Sequence, residues 1–67
     1  MNQMTLKIDC DGKSELLVIP LPATAKRIQI EVMKVILRLQ NYNKTATAKL
    51  CGISRASIYR IMLREGL

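Results

Sequence analysis

The stretch "KLCGISRAS", residues 49 to 57, dictates local architecture more firmly than any other part of the chain. Gly52 is the residue type that ends a helix in the left-handed conformation without steric cost, and Ser54, two positions later, is a preferred helix N-cap. One helix must stop and another must start within three residues, with Ile53 between them to anchor the turn. Asn43 is placed to cap a short helix over Lys44 to about Leu50, and the helix after Ser54 extends to about Arg64. That succession is the helix-turn-helix layout.

Residues 24 to 40 carry a helical period of a different kind. Ile28, Val32, Val35, Ile36 and Leu39 follow one face, Ile30, Met33 and Leu37 follow a second, and Arg27, Glu31, Lys34 and Arg38 form a charged stripe. At 100° per residue the apolar stripes lie roughly 160° apart, too far for one contact with two short helices. One stripe is expected to pack within the chain. The other, Ile30, Met33 and Leu37, is expected at a homodimer interface, the competing arrangement being that the N-terminal segment covers it within one subunit.

Ahead of Pro20 and Pro22 the period is two. Leu6, Ile8 and Cys10 alternate with Lys7 and Asp9, Asp11-Gly12 signals a turn, and Glu15 to Ile19 is a second extended run. A β-hairpin or paired arm follows, with its register open because Asp11 to Ser14 are all turn-compatible. An isolated hairpin is barely stable in water, so it must pair with another chain or lie on the helices. The expected architecture is therefore mainly α with an N-terminal β-hairpin or arm over residues 1–21. Residues 22–67 form one folding unit of three helices, the last two a helix-turn-helix, with a dimer through the first.

Sixty-seven residues leave no room for a catalytic cleft walled by its own core, and a chain this small usually supplements its core by metal, disulfide or self-association. There is no histidine, and Cys10 and Cys51 stand apart from each other and from any carboxylate cluster. No metal site and no cofactor are expected, and the thiols are read as reduced and packed. With no acid–base pair or activated nucleophile legible, the chain is not expected to be an enzyme. No apolar run reaches membrane-spanning length and no secretory leader is evident, so a soluble, cytoplasmic protein is expected. Self-association remains as the means of enlarging the core.

Charge narrows the partner. Eleven Lys and Arg oppose five Asp and Glu, and the imbalance is uneven: two basic against three acidic residues up to position 25, nine against two from position 26 onward. A field of that sign attracts polyanions through phosphate neutralisation and counterion release. In the last helix Ile58, Ile61 and Met62 fall on one side, while Ala56, Ser57, Arg60 and Arg64 fall on the other with Arg55 near the start. Small residues beside arginines let a helix backbone approach base edges, and the helix starts near Lys44 and Arg55 offer backbone N–H groups to phosphate. Double-stranded DNA is the expected partner, read in the major groove by residues 54–64.

"YNKTATAKLCGISRASIYRIMLREGL", residues 42–67, resembles the C-terminal helix-turn-helix of the Fis family, shared with the tail domain of NtrC-type activators. Asn43, Lys44, Thr45, Ala48, Gly52, Ile53, Ser54, Arg55 and Tyr59 match pattern positions without gaps to Gly66-Leu67, and Ser57 and Ile58 are close replacements. Tyr42 stands where the family has glycine, Thr47 where it has alanine, Cys51 where it has leucine and Ile61 where it has lysine. The resemblance implies that Asn43 and Thr45 hold phosphates, that Ser54, Arg55 and Ser57 approach bases or backbone, and that Arg60 reaches the adjacent DNA. It extends less specifically to the preceding helix, which in the family packs against its twin, and implies nucleoid association. Residues 1–21 have no counterpart in the pattern.

The expected role is a small dimeric transcriptional regulator or DNA-bending factor. Against it stands a protein-binding adaptor or antitoxin-like module that turns the basic helix to an acidic protein and uses the N-terminal arm for strand addition. A recombinase or transposase tail is a further rival, for which the chain would have to be a fragment.

Overall fold

The computed structural model describes residues 2–67; of the expected arm, residue 1 lies outside the described residues. Two strands, β1 (Gln3–Cys10) and β2 (Lys13–Pro20), precede three helices, α1 (Ala25–Leu39), α2 (Lys44–Cys51) and α3 (Arg55–Glu65). The strands pair antiparallel, with Cys10 opposite Lys13 and Gln3 opposite Pro20. That register makes the loop the two residues Asp11 and Gly12, both at positive φ (51° and 76°), the backbone that a tight hairpin of right-handed twist requires.

Alternation decides which face of the hairpin turns inward. Met4, Leu6, Ile8 and Cys10 from β1 share a face with Leu17 and Ile19 from β2, and Cys10 and Ile19 are buried on it. This face lies on α1. At the hairpin tip polar contacts pin it to the end of that helix: Gln40 Nε2 donates to Asp11 Oδ2 (2.8 Å) and to Cys10 Sγ, Lys13 Nζ donates to the Leu39 carbonyl, and Arg38 pairs with Glu15. The N-terminal strands are thus part of the packed chain rather than a free arm.

Each helix starts and stops for a reason visible in its sequence. Thr24, Asn43 and Ser54 accept the backbone N–H groups of Arg27, Ala46 and Ser57, three residues on in each case. At the end of α1 the Tyr42 N–H reaches the Leu37 carbonyl (2.8 Å) and the Asn41 N–H the Arg38 carbonyl (3.1 Å), a Schellman closure with Asn41 left-handed. Gly52 closes α2 in the same way, with Ile53 N–H on the Ala48 carbonyl.

The core gathers Met33 of α1, Ala48 of α2 and Ile58 of α3, with Cys51, Ile53, Ile61 and Met62 packed around them. Thr47 is fully buried yet satisfied, its hydroxyl donating to the Asn43 carbonyl (2.8 Å). One expectation is corrected here. Ile30, Met33 and Leu37, the stripe assigned to a dimer interface, are only 6, 2 and 0% exposed in the single chain. Helical spacing sets all three on the side of α1 that meets α2 and α3, so the chain's own helices use that surface. The hairpin covers the flank carrying Val35 and Arg38. What stays half-open is the sector of Ile28, Val32 and Ile36, which lines an open groove of about 370 Å³ with Leu50, Ile53 and Ile61, the edges of Ile30 and Met33 forming part of its wall.

Candidate nucleic-acid interface

The starts of α2 and α3 bring the expected contact residues together. Thr45, Arg55, Arg60 and Arg64 are exposed, and Lys44 and Ser57 are half-buried. Two of the expected phosphate or base contacts are already committed to local structure. Asn43 Oδ1 accepts the Ala46 N–H (3.0 Å), which leaves its amide NH2 as the group able to meet a phosphate. Ser54 Oγ accepts the Ser57 N–H (3.2 Å) and lies 3.0 Å from Ser57 Oγ, while Arg60 donates to that same Ser57 hydroxyl (3.4 Å). Ser54, Ser57 and Arg60 thus form a connected polar row along α3.

The glutamates are distributed unevenly over the basic residues. Glu15 pairs with Arg38, Glu31 with Arg27 and Lys34, and Glu65 with Arg27 (3.0 Å) and Lys34 (2.9 Å). All three glutamates are therefore held by basic residues of α1. The hydrogen bond to Lys34 keeps the Glu65 carboxyl below its ordinary range, and the same contact pushes the Lys34 ammonium up. Among the described residues Lys44, Lys49, Arg55, Arg60 and Arg64 meet no carboxylate within ion-pair distance, and neither helix has an acidic residue in its first turn. Lys44 sits over the Tyr59 ring, 5.6 Å from its centroid, a cation–π contact that joins the start of α2 to α3.

Two residues on this surface escape a reading based on charge and caps. Tyr59 is 55% exposed and Leu63 is 84% exposed, one turn apart on the outer side of α3. Their i, i+4 spacing about 100° round the helix from Ile58 and Met62 is the signal the sequence offers. Burial pushes the Cys51 thiol up, as expected of a packed rather than activated cysteine, and no three His, Cys, Asp or Glu side chains converge among the described residues. Among the described residues no helix is long and apolar enough to cross a membrane.

Comparison with known proteins gives no match, whether to a family model, a curated protein or a solved structure.

Proposed function

We propose that this protein binds double-stranded DNA, with α3 presented to the major groove and the start of α2 on the flanking phosphates, as a homodimeric regulator or DNA-bending factor associated with the nucleoid. The observation that carries the reading is the sorting of charge: all three glutamates pair with basic residues of α1, while the five basic residues of α2 and α3 meet no carboxylate among the described residues and lie around two capped helix starts. Backbone N–H groups at those starts add anion contacts without side-chain charge. The small residues Ala56 and Ser57 beside Arg55 allow close approach to base edges, where arginine can donate twice to guanine.

The dimer in this proposal uses the half-open sector of α1, Ile28, Val32 and Ile36, and the groove beside it. Symmetry then presents two copies of α3 to successive grooves. Titration against a duplex at several salt concentrations tests the reading. Lys44→Ala is expected to weaken binding to every sequence alike and to reduce the slope of log affinity against log salt by about one for each lost contact. Arg55→Ala is expected to cost on the order of 1–3 kcal/mol per half-site and to affect a preferred sequence more than a random one. If both variants keep wild-type duplex affinity at physiological salt, the DNA reading is wrong and the adaptor reading replaces it.

A further inference from the structure

Leu63 is the most exposed of the large apolar side chains among the described residues, and it does not stand alone. Tyr59 lies one helical turn before it on the same side of α3, and Leu67, 52% exposed, follows at the helix end. Basic residues flank the pair. Lys44 rests on the Tyr59 ring, Arg60 lies beside Leu63 at i, i+3 and Arg64 follows it in the chain, and none of the three has a carboxylate partner among the described residues. The one acidic residue of α3, Glu65, is turned away to Arg27 and Lys34 on α1.

We propose that Tyr59 and Leu63, rimmed by Lys44, Arg60 and Arg64, form a docking surface for an acidic amphipathic helix of another protein. The surface goes beyond duplex binding, because the groups that bind DNA do not account for it. A duplex offers phosphates and base edges, and its only apolar group in the major groove is the thymine methyl, so a leucine open to water over most of its surface gains little there. Contacts to bases come from the first turns of a recognition helix, whereas Leu63 sits in the third turn of α3. An apolar pair with cations beside it instead complements a helix with leucine or isoleucine at i, i+3/i+4 and i+7, flanked by Asp and Glu. The apolar contact supplies the desolvation, and the rim selects the sign of the partner. A patch of this size places the complex among weak, transient interactions.

The test uses the whole protein and a fluorescein-labelled synthetic helix of about five turns. Its leucines follow i, i+3, i+4 and i+7 with glutamates on both sides, and a control has the same composition in scrambled order. Anisotropy is expected to show saturable binding of the ordered peptide, at least tenfold tighter than the scrambled one. Leu63→Gln, which changes an exposed side chain without changing charge, is expected to lower peptide affinity about tenfold while circular dichroism and duplex affinity stay at wild-type levels. Equal binding of ordered and scrambled peptides would overturn the proposal, since charge alone would then account for the interaction. So would unchanged peptide affinity in Leu63→Gln, a comparable loss of duplex affinity in that variant, or Leu63-dependent binding to phosphatidylglycerol vesicles without binding to the peptide. The peptide assay contains no DNA, so a failed duplex titration leaves its outcome unaffected.

Discussion

Alanine is expected to be a worse residue than glycine at position 42, the reverse of their order in most structured backbone. Tyr42 stands at φ 63°, and Gly52, in the equivalent closing turn of α2, at φ 69°. An L side chain in that region crowds Cβ against the backbone at a cost of about 1–2 kcal/mol, whereas glycine avoids the strain but gives up roughly 0.5–1 kcal/mol in unfolded-state entropy. Tyr42→Gly and Tyr42→Ala both remove the same half-exposed ring, so its packing cancels when the two variants are compared. Glycine should then be ahead by about 0.5–1 kcal/mol, the balance of strain and entropy just given. Gly52→Ala provides an internal ruler: a Cβ built there meets nothing within 4 Å, so its cost is conformational alone and should match the difference at position 42. Thermal unfolding followed by circular dichroism at fixed protein concentration resolves this, because about 1 kcal/mol moves Tm by about 4–8 °C in a domain of this size. Equal stability of the Tyr42→Gly and Tyr42→Ala proteins, beside a clear loss in Gly52→Ala, would refute the left-handed turn at Tyr42.

Acid should weaken the tie between α3 and α1. Glu65 titrates below its ordinary range when folded, so its contribution is present at neutral pH and is lost as pH falls through about 4 and below. Urea unfolding across that window should show a steeper decline for the wild-type protein than for Glu65→Gln, and parallel declines would contradict the ion pair. In the dimer proposal, Val32→Glu lies in the half-open sector and should give a folded monomer, whereas Met33→Glu buries an unpaired charge at about 3–5 kcal/mol and should unfold the chain. Sedimentation velocity with circular dichroism separates these outcomes, and a wild-type protein that remains monomeric at tens of micromolar rejects the dimer.

Local signals carried most of the fold. Asp11-Gly12, Thr24, Asn43, Gly52 and Ser54 each act through backbone within a few residues, and the helices begin and end within a residue or two of where those signals put them. Periodicity reports which residues of α1 are apolar and not what lies opposite, so the burial of Ile30, Met33 and Leu37 within the chain is not legible in it. Both stripes read alike in sequence. Which one meets α2 and α3 depends on the direction in which the chain leaves α1, and that is set by the left-handed pair Asn41 and Tyr42, whose second member carries no composition cue for such a turn. Tyr59 and Leu63 are legible only as the apolar residues of α3 left over once Ile58, Ile61 and Met62 are assigned to the core, and their degree of exposure comes from the structure.

The few acidic residues of this basic chain have two effects at once. Glu15 holds the hairpin against α1 through Arg38, and Glu65 holds the end of α3 against α1 through Arg27 and Lys34. Exposed pairs of this kind contribute little energy individually, about 0–1 kcal/mol, so their value lies in fixing the angle at which α3 leaves the core. Neutralisation of α1 is the second effect. Because Glu15, Glu31 and Glu65 all pair there, the five basic side chains of α2 and α3 keep a positive charge that no carboxylate offsets at ion-pair distance among the described residues. Removing Glu65 would thus both loosen the orientation of α3 and leave Arg27 and Lys34 to share Glu31 alone, which raises the net positive charge by one. Those changes have opposite consequences for a polyanion, since added charge strengthens non-specific attraction while a loosened helix weakens any interaction that depends on register. In Glu65→Gln the ratio of specific to non-specific duplex binding should therefore fall even where total affinity is maintained.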